Sequence, residues 1–474
     1  MKIYIFSFVL LLLIGRCLIK KRNLKYTLLD LVVITVSVEM FIEMGNFLEI
    51  GGISISYATI MELITLIVAI ILIVKNKIIN KNLLKLFILL NLVVVFGIGN
   101  LIINPCKILA GTSQITWDDF IRGSNLQYIG FNDYIIKQAI QLFIFLIILV
   151  AIYSSFSKEE YMKLLINISK YIKVMLLLGI LEFVLKYVFK SNIYNISCEL
   201  FFGRTTQAYN EITTRGSGYL LQGFTKESSH YAYVLMISVL MLLAVNRLSK
   251  SQNNWIAIAV FLMIASMSFS SYIFILAIVA FYILNWIQKS NQYIRVLKWS
   301  FIILLVCGVT YCILCNLNNI YNSLEAVGFL QRRIKSLIQE LVAIFNGEWM
   351  IQNGSLELSN KVRLGSIFET LKLIQYRPLF GVGICAATSH GSTTMLLSGV
   401  GLVGSYLWTR ISFYSSKMKI ENKDKKYYTM SILILLLVNM VNSMWLRPFY
   451  ELSVIVWMIS LNIIFDTSEN IKIN

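Results

Sequence analysis

Charge is scarce in this chain. Only 14% of its 474 residues are Asp, Glu, Lys or Arg, while 58% are hydrophobic, and the mean hydropathy is +0.74. A soluble protein with this composition would have too little polar surface to cover its core. The scarcity therefore excludes a soluble enzyme and a disordered tail protein, and it puts the chain in a bilayer. Cysteine offers no framework either. The seven cysteines are an odd number and show no metal-ligand spacing. Cys312 and Cys315 form a C-x-x-C, but inside the apolar run from Phe301 to Leu317, where small packing residues are the better reading than a redox pair. A disulfide-stapled secreted domain is excluded. The composition also argues against a membrane β-barrel, whose strands alternate apolar and polar residues and give weaker hydropathy. No repeat of about 20–50 residues and no inverted duplication is visible. Matching Gly/Pro breaks in two halves of the chain are absent too.

What is present is a succession of apolar runs. A transmembrane helix needs about 20 mostly apolar residues. Such runs predict about 12–13 spans, near residues 3–19, 26–46, 53–74, 83–103, 134–154, 171–190, 230–246, 254–269, 271–288, 299–317, 391–409, 428–446 and 450–466. The first run lacks a basic start and a small-residue cleavage site, so it reads as a retained helix with its N-terminus outside. The net charge of +18 would suggest nucleic acid in a soluble chain. Here the basic residues sit in clusters between runs: Arg16 to Lys25, Lys75 to Lys85, Lys158 to Lys173, Arg247 and Lys250, Lys289 to Lys298, Lys417 to Lys426. Each cluster falls where the positive-inside rule requires cytoplasm. The long connections, about 104–133, 191–229 and 318–390, then all fall on the outer face. The chain is thus expected to be an all-α polytopic membrane protein, one integral domain over 1–474, with two of the outer loops carrying short amphipathic helices.

In the third loop Ile334, Leu337, Ile338, Leu341 and Phe345 recur at helical spacing, with Arg332, Arg333 and Lys335 off that face. A second helical pattern, Val362, Ile367, Leu371 and Ile374, should end before Pro378. There are three prolines in the chain, Pro105, Pro378 and Pro448, all at or near outer loops.

The residues able to do chemistry concentrate on that outer side. The chain has two histidines, His230 and His390, and each stands at the outer mouth of a span. Arg204, Arg215, Arg363 and Arg377 lie in the loops before them. Guanidinium groups bind phosphate oxygens through two parallel hydrogen bonds and stay charged at working pH. Two arginines from separate loops can clamp a diphosphate, and a neutral histidine can take a proton from an attacking hydroxyl. Such parts suit transfer of a group from a lipid diphosphate to an alcohol, with the arginines stabilising the leaving group. No Asp-x-Asp pair is visible in the outer loops, so no metal and no cofactor are expected. Set against this, an arginine in a long loop can be merely solvated. Gly381-Val-Gly383 can be only a turn, and Gly401 and Gly404 can serve close helix packing. Glu182 and Lys186, i,i+4 inside an apolar run, read as either a buried pair or part of a polar pathway.

Two stretches resemble a known family. Arg215-Gly-Ser-Gly running into Phe224-Thr-Lys-Glu227-Ser228-Ser229-His230, and Arg363 through Pro378-Leu-Phe-Gly381-Val-Gly383 to His390, are similar to motifs of the Wzy-type O-antigen and capsular polysaccharide polymerases and the related O-antigen ligases. His390, Gly391, nine residues, Gly401 and Gly404 fit the ligases' histidine and G-x-x-G spacing, with Gly391 where the ligases carry Asn, Ser or Gln. The resemblance implies a GT-C-like membrane glycosyltransferase of the bacterial cytoplasmic membrane, active on its outer face. Its donor and acceptor would be undecaprenyl-diphosphate-linked oligosaccharides. It implies Arg215, Arg363 and His390 as catalytic residues, with Glu227, His230 and Arg377 binding substrate; Arg204, an arginine of the same outer loop as Arg215, is a further substrate-binding candidate. Partners besides the lipid bilayer would include at most a chain-length regulator, and no nucleic acid. A ligase that moves the finished glycan, or a lipid-linked oligosaccharide flippase, are the alternatives.

Overall fold

The structure is a computed structural model and describes residues 2–19, 23–41, 45–50, 53–76, 80–109, 128–131, 133–191, 193–203, 214–215, 218–219, 221–225, 228–249, 252–266, 370–386 and 392–412, with a few positions between 268 and 304. It is helical apart from short strands. In chain order the elements are β1 (Lys2–Ile3), α1 (Ile5–Ile19), α2 (Leu24–Phe41), β2 (Asn46–Ile50), β3 (Ile53–Ser56), α3 (Tyr57–Asn76), α4 (Lys81–Ile103), β4 (Cys106–Leu109), β5 (Tyr128–Ile129), α5 (Asp133–Ser155), α6 (Lys158–Phe183), α7 (Ile193–Phe202), β6 (Thr214–Arg215), β7 (Gly218–Tyr219), α8 (Ser228–Ser249), α9 (Asn253–Ala265) and α10 (Ser392–Ser412). Residues 370–376 add a further helical stretch.

Among the described residues four helices are long and apolar enough to cross a membrane: Tyr57–Lys75, Lys81–Ile103, Ile135–Ser155 and Glu159–Val188. Shorter apolar helices are Ile5–Ile19, His230–Leu243 and Asn253–Ala265. Large apolar side chains such as Ile67, Val95, Phe143 and Leu177 face outward, as a hydrocarbon surroundings allows. The expected spans near 271–288, 299–317, 428–446 and 450–466 lie wholly or mostly outside the described residues. So does the amphipathic pattern over Ile334 to Phe345.

α2 is the core of the bundle. From Thr27 to Phe41 every side chain except Asp30 is buried, because α2 packs against α1, α3 and α6. Thr35 bonds across to Thr65 of α3 at 2.9 Å and donates to the Leu31 carbonyl at 2.8 Å, so its hydroxyl is satisfied inside an apolar packing.

The hairpin connections give the bundle two chemically distinct ends. At one end, Lys25 pairs with Glu160 at 2.7 Å, and Asn80, which caps α4, donates its own N–H to Ser154 at 3.4 Å. This end gathers the described basic residues of the first clusters. At the other end stand the strands. β1 pairs with β2 and β2 with β3, all antiparallel, and β4–β5 and β6–β7 form two further small ladders. Asn46 donates to the Gly203 carbonyl there at 3.5 Å. β4–β5 and β6–β7 occupy connections in which hydropathy alone predicted only loop, whereas β3 takes up the first residues of the span expected near 53–74.

α6 begins at Lys158, thirteen residues before the expected span. Its start is fixed by Glu160, whose Oε2 accepts from the Ser157 N–H at 2.6 Å and hydroxyl at 2.8 Å. Lys163 and Lys170 are exposed on this extension, and Lys173 lies over the Trp255 ring. The helix with its continuation to Val188 is roughly 45 Å long against a hydrocarbon core of about 30 Å, so its basic first turns project beyond the apolar layer.

Candidate functional site

The hairpin end holds two loop-to-helix docks, and the described candidate residues belong to them. The first lies where α6 ends. Over Val184–Val188 the helix widens to π geometry, with Phe189 N–H reaching the Val184 carbonyl at 3.1 Å. Single π turns inside α-helices often occur at functional sites. Glu182 and Lys186 straddle the change and pair at 2.6 Å, with 0% and 1% of their surfaces exposed. Glu182 does more than neutralise the lysine. Its Oε1 also accepts from the Gln222 backbone N–H at 3.0 Å, and its Oε2 from the Gly223 N–H at 2.8 Å. A buried carboxylate is tolerable only when paired and hydrogen-bonded, and here both oxygens are engaged. The Lys186 ammonium also lies 5.6 Å from the centre of the Tyr194 ring.

The segment so held is a tight turn. Thr225 donates both its N–H, at 3.0 Å, and its hydroxyl, at 2.7 Å, to the Gln222 carbonyl. Gly223 sits at φ +54°, and a Cβ there would come within 2.5 Å of the Tyr231 ring. The same ring reaches α6: a Cβ at Gly179 would lie 2.2 Å from the Tyr231 hydroxyl. Tyr231 therefore fills a slot made by two glycines, and it brings the head of α8, with buried His230, against both the turn and α6. Phe224 stacks on Tyr194 at 5.7 Å and meets Phe202 at 4.8 Å, which ties the turn to α7. Both polar side-chain atoms of Gln222 and the Tyr231 hydroxyl are buried with no hydrogen-bond partner.

The second dock joins residues 377–386 to α10. α10 is broken at Gly401, whose φ of +67° and ψ of −173° are not helical. The break frees backbone groups, which the incoming segment satisfies. Leu402 and Val403 N–H donate to the Pro378 and Leu379 carbonyls at 2.8 and 3.1 Å, while Val382 and Gly383 N–H donate to Ser398 and Gly399 at 2.8 and 3.0 Å. Backbones this close leave no room for side chains: a Cβ at Gly381 would meet Gly399 at 2.5 Å, and one at Gly401 would meet Leu379 at 2.3 Å. Irregular backbone of this kind is stable in a membrane protein only when buried in protein. α4 covers it, with Gly97 against Phe380 and Gly383, and Val93 against Gly404.

Arg377 opens this segment. One guanidinium arm, Nη2, donates to the Asn104 carbonyl at the end of α4, and the group lies 5.6 Å from the Tyr376 ring centre. Nη1 is buried and has no hydrogen-bond partner. The side chain is thus held in one orientation with a charged donor to spare.

Among the sequence-predicted residues, Arg215 stands on β6 opposite Gly218, and β7 packs on the π segment. Arg215, the Gln222–Thr225 turn and His230 therefore follow one another along a single connection anchored at Glu182. Arg377 belongs to the second dock. In the series of principal helix packings, α8 and α9 lie against α6, then come α2, α3, α5, α4 and α10, so the two docks stand at opposite ends of that series. His390, Arg363, Glu227 and Arg204 lie outside the described residues. The helix expected to end before Pro378 does so, at residue 376. Of the two readings of Glu182 and Lys186, the buried pair is the one found. Gln222, Gly223, Tyr231 and Gly179 escaped notice in the sequence, since neither type nor spacing marks a glycine or glutamine that matters only through a partner far along the chain. No model of a known protein family matches the chain, and no curated protein is significantly similar to it.

Proposed function

We propose that this protein is a polysaccharide polymerase of the bacterial cytoplasmic membrane, which joins undecaprenyl-diphosphate-linked oligosaccharide units on the outer face. The observation that carries the reading is Arg377. A half-exposed guanidinium, pre-oriented by the Asn104 carbonyl and Tyr376 and with its Nη1 donor to spare, suits a phosphate oxygen of the donor lipid. It stands at the hairpin end, which the positive-inside rule assigns to the outside once the lysine-rich end is cytoplasmic.

In this reading the acceptor hydroxyl attacks the anomeric carbon of the donor sugar as the bond to the diphosphate breaks. His390 takes the hydroxyl proton. Arg215 and Arg363 hold the diphosphate as its charge develops, with Arg377, Arg204, His230 and Glu227 contacting substrate. Undecaprenyl diphosphate leaves, and no metal or cofactor takes part. A ligase would use the same donor end, and the fit of His390, Gly401 and Gly404 to ligase spacing keeps that as the second reading. Against a flippase stands Glu182: both its oxygens are taken by Lys186 and the 222–223 backbone, so this buried carboxylate is held in place by the fold.

The test is gel analysis of surface and lipid-linked glycan in a deletion strain. A single capped repeat unit without a ladder is the expected result. A normal ladder retained on the lipid carrier would make the protein a ligase, and intact units accumulating on the cytoplasmic face would make it a flippase. Complementation with Arg377→Lys should lower polymerisation about a hundredfold at unchanged protein level, because a point ammonium cannot both hold Asn104 and reach a phosphate.

A further inference from the structure

We infer that Glu182 is a positioning residue: it holds the Gln222–Thr225 turn, between the Arg215 hairpin and the head of α8, in its working place. The inference rests on the reading above for what that turn does, but not for how it is held. Glu182 lies within α6, which packs on α2, α8 and α9. Its carboxylate takes the two successive backbone N–H groups of Gln222 and Gly223. Backbone donors say nothing about side-chain identity, so the carboxylate fixes where the chain runs, whatever the loop carries. Lys186 makes a carboxylate affordable at zero exposure, and the π turn that starts two residues after Glu182 lies against β7, the partner strand of Arg215. The same place receives Tyr231, next in the chain to His230, in the slot between Gly179 and Gly223. One buried pair thus sets the hairpin before the turn and the helix after it.

The experiment is hydrogen exchange on the full chain in lipid nanodiscs, paired with polymerisation of a lipid-linked repeat unit. The variant Glu182→Leu with Lys186→Leu removes both charges together, which is close to neutral for folding at buried pairs. The Gln222 and Gly223 amides should then exchange about tenfold faster or more, while α6 amides keep their protection. Turnover should fall, with a melting temperature lowered much less than in Glu182→Ala, since only the two N–H groups and no charge are left unpaired. Glu182→Gln with Lys186→Leu keeps one acceptor oxygen and strands no charge, so it should fall between wild type and the double leucine variant in both readouts. Unchanged exchange at Gln222 and Gly223 in the double leucine variant would overturn the inference. Faster exchange with unchanged turnover would also overturn it, leaving Glu182 a structural residue only. Should wild type itself fail to polymerise, the proposed function falls, and the exchange measurement still decides whether Glu182 holds the turn.

Discussion

Two loops dock at the hairpin end where a helix loses its regularity, and they do so by opposite means. At the end of α6 the helix widens into a π turn, and a side chain, Glu182, takes the backbone N–H groups of the incoming turn. At Gly401 the helix breaks outright, and its own backbone pairs with residues 378–383. The first dock needs a charge and therefore a countercharge. The second needs neither, but it needs glycine wherever two backbones meet. The difference decides how each can be altered. A carboxylate can be exchanged together with its partner, whereas a Cβ between two backbones has nowhere to go.

The largest effect should follow from Gly401→Ala. The new Cβ would lie 2.3 Å from the Leu379 carbonyl oxygen, 2.4 Å from its carbon and 2.5 Å from Phe380 N, at a φ of +67°. None of these is the flexible end of a side chain. Strained φ and overpacking each cost about 1–3 kcal/mol and here act together, so loss of folded protein is expected. Gly99→Ala on α4 is the control, since nothing lies within 4 Å of its Cβ; it should be neutral or stabilise by up to about 1 kcal/mol. Detergent extraction and thermal unfolding of the two variants decide the matter, and equal behaviour would show that the break does not need glycine.

Next comes the charged dock. Glu182→Ala leaves Lys186 buried without its partner and two N–H groups without acceptors, which should cost about 3–5 kcal/mol. The paired replacement of Glu182 and Lys186 by leucine should cost far less. Thermal unfolding that ranks the double variant below the single one would mean that the pair is not closed, and the contrast between the two docks would lose its basis.

Much of the fold was legible because hydropathy and caps are local. α4 and α5 run within two residues of the expected spans, and residue 376 ends its helix as Pro378 required. The start of α6 was missed because its first turns carry Lys158, Glu159, Glu160, Lys163 and Lys170, which a span criterion rejects although an amphipathic helix accepts them. The break at Gly401 was not legible either. Apolar residues continue on both sides of it, and the hydrogen bonds that replace the helix come from Pro378 to Gly383, some twenty residues earlier. The candidate site divides the same way. Glu182 and Lys186 stood out as charges in an apolar run, but what they hold, the Gln222–Gly223 backbone, has no signature of its own.

The smallest effect tests whether the charged dock also uses the steric logic of the other. A Cβ at Gly179 would lie 2.2 Å from the Tyr231 hydroxyl, 2.9 Å from Leu262 Cδ1 and 3.5 Å from Tyr231 Cζ. The hydroxyl is buried and makes no hydrogen bond, so Tyr231→Phe loses only an unsatisfied group and should be neutral or slightly stabilising. Gly179→Ala alone must displace the hydroxyl and should cost about 1–3 kcal/mol, less what alanine contributes to the helix. In the double variant the nearest remaining atom is the end of Leu262, which can turn aside. The two substitutions should therefore be non-additive, with a favourable coupling of about 1–2 kcal/mol. Thermal unfolding of the four proteins measures it. Strict additivity would mean that Tyr231 does not key α8 into α6, and that the head of α8 is held by the Glu182 turn alone.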